Sequence, residues 1–304
     1  MKKILLTGSS GFIAGHTIPF LLQAGYAVHA VSRKIPKKFP KTKKLFWHNC
    51  DLFKTPERKK LINKIKPDSL LHFAWDTRPG KFWESIENLH WVRTSLDLAT
   101  EFVECGGKRA VMAGSCAEYD WSFSRYSEQK TPLQPKSFYG ICKKSLYKLL
   151  DPYFAKMGVS FAWGRIFFLF GPDEHPDRLV SSAIQSLLKK KLFDCSSGRQ
   201  KYDFLYVKDV AGAFVKLLQS DVQGPVNIAS GRPILLKDLI NTIGEKLTGN
   251  RLIRFGKLTP PKTYPKVLFA DTDRLTKEVG WSEQYTLSEG LDETIDWWRK
   301  NLPK

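Results

Sequence analysis

The chain has 304 residues, 42% hydrophobic and 26% charged, which is enough for a full core and too ordinary for intrinsic disorder. Its formal net charge is +19, yet no zinc-finger, RRM or helix-turn-helix pattern accompanies the lysines; nucleic acid is set aside, and a small anionic substrate is the expected partner. Apolar runs fall short of the ~18 residues that a membrane span needs, and the five cysteines show neither paired spacing nor a Cys/His cluster. No membrane insertion, metal site or disulfide framework is therefore expected, and the chain reads as a cytoplasmic protein with reduced thiols.

In chain order, residues 4–6 read as a buried strand, 12–24 as a helix ended by Gly25, and 26–31 as a second strand. Further apolar runs at 45–48, 69–73 and 110–113 are separated by helical stretches such as 88–103. This alternation predicts an α/β fold, a Rossmann-like doubly wound parallel sheet with a smaller C-terminal substrate-binding lobe. The expected division is 1–165 for the dinucleotide-binding domain and 166–304 mainly for the substrate lobe, with about 203–230 returning to the first domain. Residues 172–178 read as a loop, and 257–265 form a proline- and lysine-rich stretch. The lysine runs at 37–38, 41–44 and 189–191 read as a solvated face that also attracts anions.

The first strand leads into Thr7-Gly8-Ser9-Ser10-Gly11-Phe12-Ile13-Ala14. Gly8 suits a tight turn, Gly11 lets backbone approach a pyrophosphate, and Ala14 lets the helix lie close to the sheet. Ser10, Phe12 and Ile13 complete the expected cradle. The second strand ends in Ser32-Arg33-Lys34, where an NAD-binding fold usually places an acid for the ribose 2′-hydroxyl. A cationic pair suits a 2′-phosphate, so NADP(H) is favoured and NAD(H) remains possible.

Tyr139 and Lys143 stand four apart, on one face of a helix. A free phenol titrates near pH 10; a nearby ammonium favours the phenolate, and Tyr139 can then exchange the proton of a carbonyl–alcohol couple. Ser115, just after the strand at 110–113, can hydrogen-bond the reacting oxygen.

Together these residues resemble the extended short-chain dehydrogenase/reductases, in particular the NAD(P)-dependent nucleotide-sugar epimerase/dehydratase/reductase family. The likeness extends to the Ser115-Cys116-Ala117-Glu118-Tyr119 stretch, to the segment from Arg165 to Pro172, to the one from Tyr202 to Val210, and to Asp271-Thr272-Asp273-Arg274-Leu275. The resemblance implies adenine contacts from Asp51 and Leu52, a cofactor cleft lined by Phe73, Ala74, Trp75 and Ile166, a cofactor role for Asn88, and ribose binding by Lys143. It also implies a homodimer formed by helices around 88–104 and 143–156.

Departures from the family pattern narrow the chemistry. Cys116 and Ala117 stand where the dehydratases carry an Asp-Glu pair, which argues against water elimination. The family's 3,5-epimerase/reductases use a cysteine and a histidine for which Cys116 and His175 are displaced stand-ins, with Arg178 near the histidine position. Phe168 and Tyr202 replace an asparagine and an arginine that hold a nucleotide diphosphate. Arg178, Arg199, Lys201 and Arg274 are the candidates to restore that charge. The resulting expectation is an NADPH-dependent reductase of a nucleotide-linked 4-keto-6-deoxy sugar, with Tyr139 as general acid. The alternatives are a 4-epimerase that retains NAD, a reductase of a non-nucleotide carbonyl compound, and a non-catalytic NADP-sensing protein.

Overall fold

The computed structural model describes residues 1–36, 42–259 and 264–302. Lys37, Lys38, Lys41 and the centre of the proline- and lysine-rich stretch lie outside the described residues. The chain opens with β1 (Lys3–Thr7), α1 (Phe12–Gln23), β2 (Ala27–Ser32), β3 (Leu45–Asn49), α2 (Thr55–Ile65), β4 (Ser69–His72), α3 (Glu87–Glu104) and β5 (Arg109–Ser115). It continues with β6 (Arg125–Tyr126), α4 (Phe138–Lys156), β7 (Ser160–Ile166), β8 (Phe168–Phe170), α5 (Leu179–Leu188), β9 (Phe193–Asp194) and β10 (Lys201–Tyr206). It ends with α6 (Val207–Gln219), β11 (Gly224–Ile228), β12 (Pro233–Leu235), α7 (Leu236–Lys246), β13 (Ile253–Arg254), β14 (Val267–Ala270) and α8 (Leu287–Asn301).

Seven parallel strands form the main sheet in the order β3-β2-β1-β4-β5-β7-β11. Ile4, Leu5 and Leu6 are fully buried, as a central parallel strand covered on both faces requires. One face is covered by α1 and α6, whose Ile18, Leu21, Ala213 and Phe214 pack with Ile4, Val28 and Val226. The other is covered by α2, α3 and α4 through Ile62, Leu98, Phe102, Leu146 and Phe154. The strand order reverses between β1 and β4, which opens a crevice beyond their carboxyl ends. This is the Rossmann-like doubly wound fold.

A second, smaller sheet runs β12-β10-β14-β6 with β8 beside β10, and α5, α7 and α8 contribute Ile184, Leu239 and Ile295 to its core. Strand β6 pairs with β14 in this sheet although its residues fall inside 1–165, so a cut at residue 165 does not separate the lobes. Helix α6 and strand β11, by contrast, belong to the main sheet's layers.

Two buried polar links position the strand ends. His72 hydrogen-bonds Thr7 Oγ1 at 2.7 Å and Ser95 Oγ at 2.8 Å, tying β4 to β1 and α3. Burial pushes its imidazole down to about 3, so it is neutral, a bridge and not a charge. Arg58 of α2 pairs with Glu101 of α3 at 2.8 Å, both buried.

Helix α4 starts at Ser137, whose hydroxyl accepts the Gly140 N–H at 3.1 Å. Its inward face carries Tyr139, Lys143, Leu146, Tyr147 and Leu150 at helical spacing. The helix lies close to the turn after β5 because Gly140 has no side chain: a Cβ there would come within 2.3 Å of the Ala117 carbonyl oxygen. Gly140→Ala should therefore lower stability, since overpacking costs roughly 1–3 kcal/mol and exceeds the ~1 kcal/mol that alanine's helix propensity returns. Thermal melting checks this; a variant that melts at or above the parent's temperature would show that α4 has room to spare.

Candidate active site

The crevice is a cavity of about 1170 Å³ running from the β1–α1 turn into the second lobe. At its dinucleotide end Gly8 has φ +68°, and a Cβ there would meet the Ala74 nitrogen at 2.8 Å. The Gly11 N–H donates to the Gly8 carbonyl at 2.8 Å and Gly11 caps α1, whose first turn has no acidic residue and no side-chain cap. That leaves first-turn N–H groups facing the cavity, an arrangement that fits a dinucleotide pyrophosphate.

Ser9 was not singled out by the sequence reading, yet it stitches the turn to β2. Its hydroxyl donates to the Leu6 carbonyl at 2.7 Å and accepts the Val31 N–H at 3.0 Å. Ser10 and Ser32 share a hydroxyl hydrogen bond of 2.8 Å. Gly8, Ser10, Gly11, Phe12, Ile13, Ser32, Arg33, Asp51, Leu52, Phe73, Ala74, Trp75 and Ile166 all line the cavity. Lys34 is exposed and does not; its N–H folds back to Ser32 Oγ at 3.2 Å. Asn88 is also displaced from its expected place. It is buried behind the wall, donates to the Phe82 and Ser85 carbonyls at 2.7 and 2.9 Å, and accepts the Trp75 indole N–H at 2.8 Å. It holds the wall residue Trp75 and is not itself among the residues that line the cavity.

Ser115 ends β5 while Tyr139 and Lys143 enter from α4, and the cavity meets all three. Burial pushes the Tyr139 phenol well above its ordinary range, and the neighbouring Ser115 hydroxyl opposes this by favouring the phenolate. Lys143 is 4% exposed, lies 3.7 Å over the Trp75 ring and donates to the Ala113 carbonyl at 2.8 Å. Burial pushes its ammonium down to about 7, against a smaller opposing pull from Glu118. Glu118 is fully buried behind the site. It accepts the Ser115 N–H at 2.8 Å, the Trp163 indole N–H at 2.9 Å and Arg165 Nε at 2.8 Å.

In the second lobe Phe168 and Tyr202 stack in parallel, with centroids 4.7 Å apart and planes at 8°, and the Tyr202 hydroxyl donates to the Pro265 carbonyl at 2.9 Å. Both line the cavity, as do Cys116, His175 and Arg178. Burial pushes the Cys116 thiol up to about 12, so it is no thiolate. Arg178 reaches across the cleft to donate to the Thr77 carbonyl at 2.9 Å. Three expected substrate contacts stand elsewhere. Ala117 is buried with its carbonyl against Gly140 and does not line the cavity. Arg199 is exposed outside it. Arg274 is engaged by the Gln223 and Pro225 carbonyls and by Glu278, which fixes the end of β11.

The structure adds residues that spacing did not reveal. Glu174 lines the cavity, accepts the Ser181 hydroxyl at 2.8 Å and is pushed up to about 8 by burial. Trp83, Trp121 and Tyr264 line the same end of the cavity as Tyr139. They come from three distant segments, and no short-range pattern marks them.

Lys143 makes a measurable demand on the fold. Its pKa lies near 7 in the folded protein and 10.5 ordinarily, so the unfolded chain binds more protons between those values and stability rises with pH across that window. Lys143→Met removes the effect. The cofactor-free variant should melt above its parent at about pH 7 and below, with the gap closing towards about pH 10. Thermal unfolding across that range checks it; a gap that does not change with pH would contradict a buried, depressed ammonium.

The family model described as the NAD dependent epimerase/dehydratase family matches residues 4–229. The UDP-glucuronate 4-epimerase of Thermodesulfobacterium geofontis is 26% identical, covering 99% of this chain and 98% of that protein. The dTDP-6-deoxy-L-talose 4-dehydrogenase (NAD(+)) of Aggregatibacter actinomycetemcomitans is 27% identical over 78% of this chain and 88% of its own length. The crystal structure of UDP-glucose 4-epimerase with UDP-glucose from Thermotoga maritima superposes with a TM-score of 0.88 at 21% identity, covering 99% of this chain and 100% of that one. With the glycine turn, the doubly wound sheet and the Ser115–Tyr139–Lys143 cluster in place, the chain belongs to the NAD dependent epimerase/dehydratase family, enzymes of the extended short-chain dehydrogenase/reductase type.

Proposed function

We propose that this protein is an NADPH-dependent reductase of a nucleotide-linked 4-keto-6-deoxy sugar. The observation that carries the reading is the meeting of Ser115, Tyr139 and Lys143 on one cavity whose outer lip bears Arg33 and no acid from β2. The nicotinamide, when bound, supplies the hydride. Ser115 and Tyr139 would hold the keto oxygen. Burial keeps the Tyr139 phenol protonated at neutral pH, the form that a general acid needs to complete a reduction. Lys143 would hold the ribose, and in its ammonium form it would favour the Tyr139 phenolate as the proton leaves. Glu118 anchors the Ser115 backbone, so the hydroxyl stays aimed without taking part. The dehydrogenase relative acts at position 4 of a 6-deoxy sugar by its name, which supports the substrate class.

Cofactor preference is tested at the lip. Arg33 is exposed and lines the cavity, where a 2′-phosphate would compete with Asp76 for its charge. NADPH should bind more tightly than NADH, and Arg33→Ala should erase much of the difference, because a charge-assisted hydrogen bond is worth roughly 1.5–3 kcal/mol. Equal affinities in the unmutated protein would overturn the preference and return the cofactor to NAD(H).

The second reading is a 4-epimerase, favoured by the full-length likeness to the UDP-glucuronate 4-epimerase. The two differ in cofactor traffic. A reductase consumes one NADPH per turnover, whereas an epimerase ends with the cofactor form it began with. The purified protein should oxidise NADPH in step with a 4-keto nucleotide sugar, and Tyr139→Phe should lower that rate at least ~100-fold. Interconversion of 4-hydroxy epimers without net NADPH loss, followed by NMR, would favour the epimerase instead.

A further inference from the structure

Three large rings, Trp83, Trp121 and Tyr264, stand at the end of the cavity that holds Tyr139, each packed on one side against a buried cluster and open on the other to the cavity. Trp83 lies edge-on to Tyr139, with centroids 5.8 Å apart and planes at 89°. It is also edge-on to Trp121 at 5.9 Å and to Tyr264 at 6.0 Å, while Trp121 and Tyr264 are 5.6 Å apart. All three line the cavity and all are half-buried, so part of each ring meets solvent inside it. Rings placed only for packing would be covered by the protein itself.

The Trp121 indole N–H is engaged, donating to the Cys116 carbonyl at 3.0 Å. What faces the cavity is mainly ring carbon. Arg178, a nearby cation, is held by the Thr77 carbonyl and lies 5.4 Å over the Phe82 ring. Trp83 is the one of the three rings that touches Tyr139, so it stands beside the place where a carbonyl held by Ser115 and Tyr139 would present its flanking carbons.

We propose that Trp83, Trp121 and Tyr264 form a specificity slot that receives an apolar substituent next to the reacting carbon, a methyl group in preference to a hydroxymethyl or a carboxylate. This rests on the reading of the substrate as a nucleotide-linked sugar. A methyl group covers exposed ring carbon and removes apolar surface from water. A hydroxymethyl in the same place gives up water for its hydroxyl against ring faces, and a carboxylate gives up far more. The slot therefore selects by what the alternatives lose, as much as by what the methyl gains.

The test is calorimetric titration of the protein–NADP⁺ complex with three ligands that share one thymidine diphosphate: a 6-deoxyhexose, the corresponding hexose and the corresponding hexuronate. The 6-deoxyhexose should bind about 10–100-fold more tightly than the other two, the range expected when an apolar pocket discriminates by one small group. Trp83→Ala and Trp121→Ala should each reduce that ratio to about 3-fold or less, and Trp83→Phe should retain most of it. NADP⁺ affinity should be unchanged in all variants, since none of these rings lies at the dinucleotide turn. Equal binding of deoxyhexose and hexose to the unmutated protein would overturn the slot and leave the reductase reading standing. Failure of all three sugars to bind as thymidine, uridine, cytidine and guanosine diphosphates alike would overturn both. If an alanine variant loses NADP⁺ affinity, the unmutated protein and Trp83→Phe decide alone: a preference that is present in both supports the slot, and a preference missing from either overturns it.

Discussion

The active site is organised around one buried carboxylate. Glu118 has no exposed surface, and its two oxygens receive the Ser115 backbone, the Trp163 indole and the Arg165 guanidinium. An uncompensated charge in that position would be very costly, so those donors must all stay in place. Their geometry then dictates much else. Arg165 passes the constraint to the Tyr119 hydroxyl at 3.2 Å, Tyr119 to Asn227 at 2.7 Å, and Asn227 to the Tyr126 and Asp271 carbonyls. A single connected network thus runs from Ser115 through β7 and β11 into the second lobe. It ties the two lobes beneath the site, in addition to the Arg178–Thr77 hydrogen bond across the cleft.

The electrostatics of the site follow from dryness more than from pairing. Tyr139, Lys143, Cys116 and Glu174 are all displaced towards their neutral forms by burial, and in each case burial is the largest influence. Such a cavity is a poor host for isolated charge and responds strongly to any charge that a ligand brings.

The parts legible in the sequence are those that local spacing encodes. A strand, a Gly-x-x-Gly turn and a helix are contiguous, and so are Tyr139 and Lys143 one helical turn apart; the fold class and the alternating sheet follow from the same short-range patterns. What was not legible depends on meetings between distant segments. Arg274 looked free until β11 supplied its carbonyl partners, and Asn88 looked like a cleft residue until the turn at residues 82–85 closed over it. Strand β6 has two residues, too short for any alternation to register, and exists only because β14 lies beside it. The aromatic end of the cavity draws on residues 83, 121 and 264, which no window along the chain contains.

The pairing of Arg125 with Phe269 also has a consequence for how the molecule is made. During synthesis the strand at 125–126 waits for its partner at 269–270, and the main sheet waits for residues 224–228 to supply its last strand. Long waits of this kind slow folding and leave strand edges open to foreign chains. The nascent protein is most vulnerable to aggregation in the interval between the emergence of β7 and that of β14, and a chaperone would have most to do there.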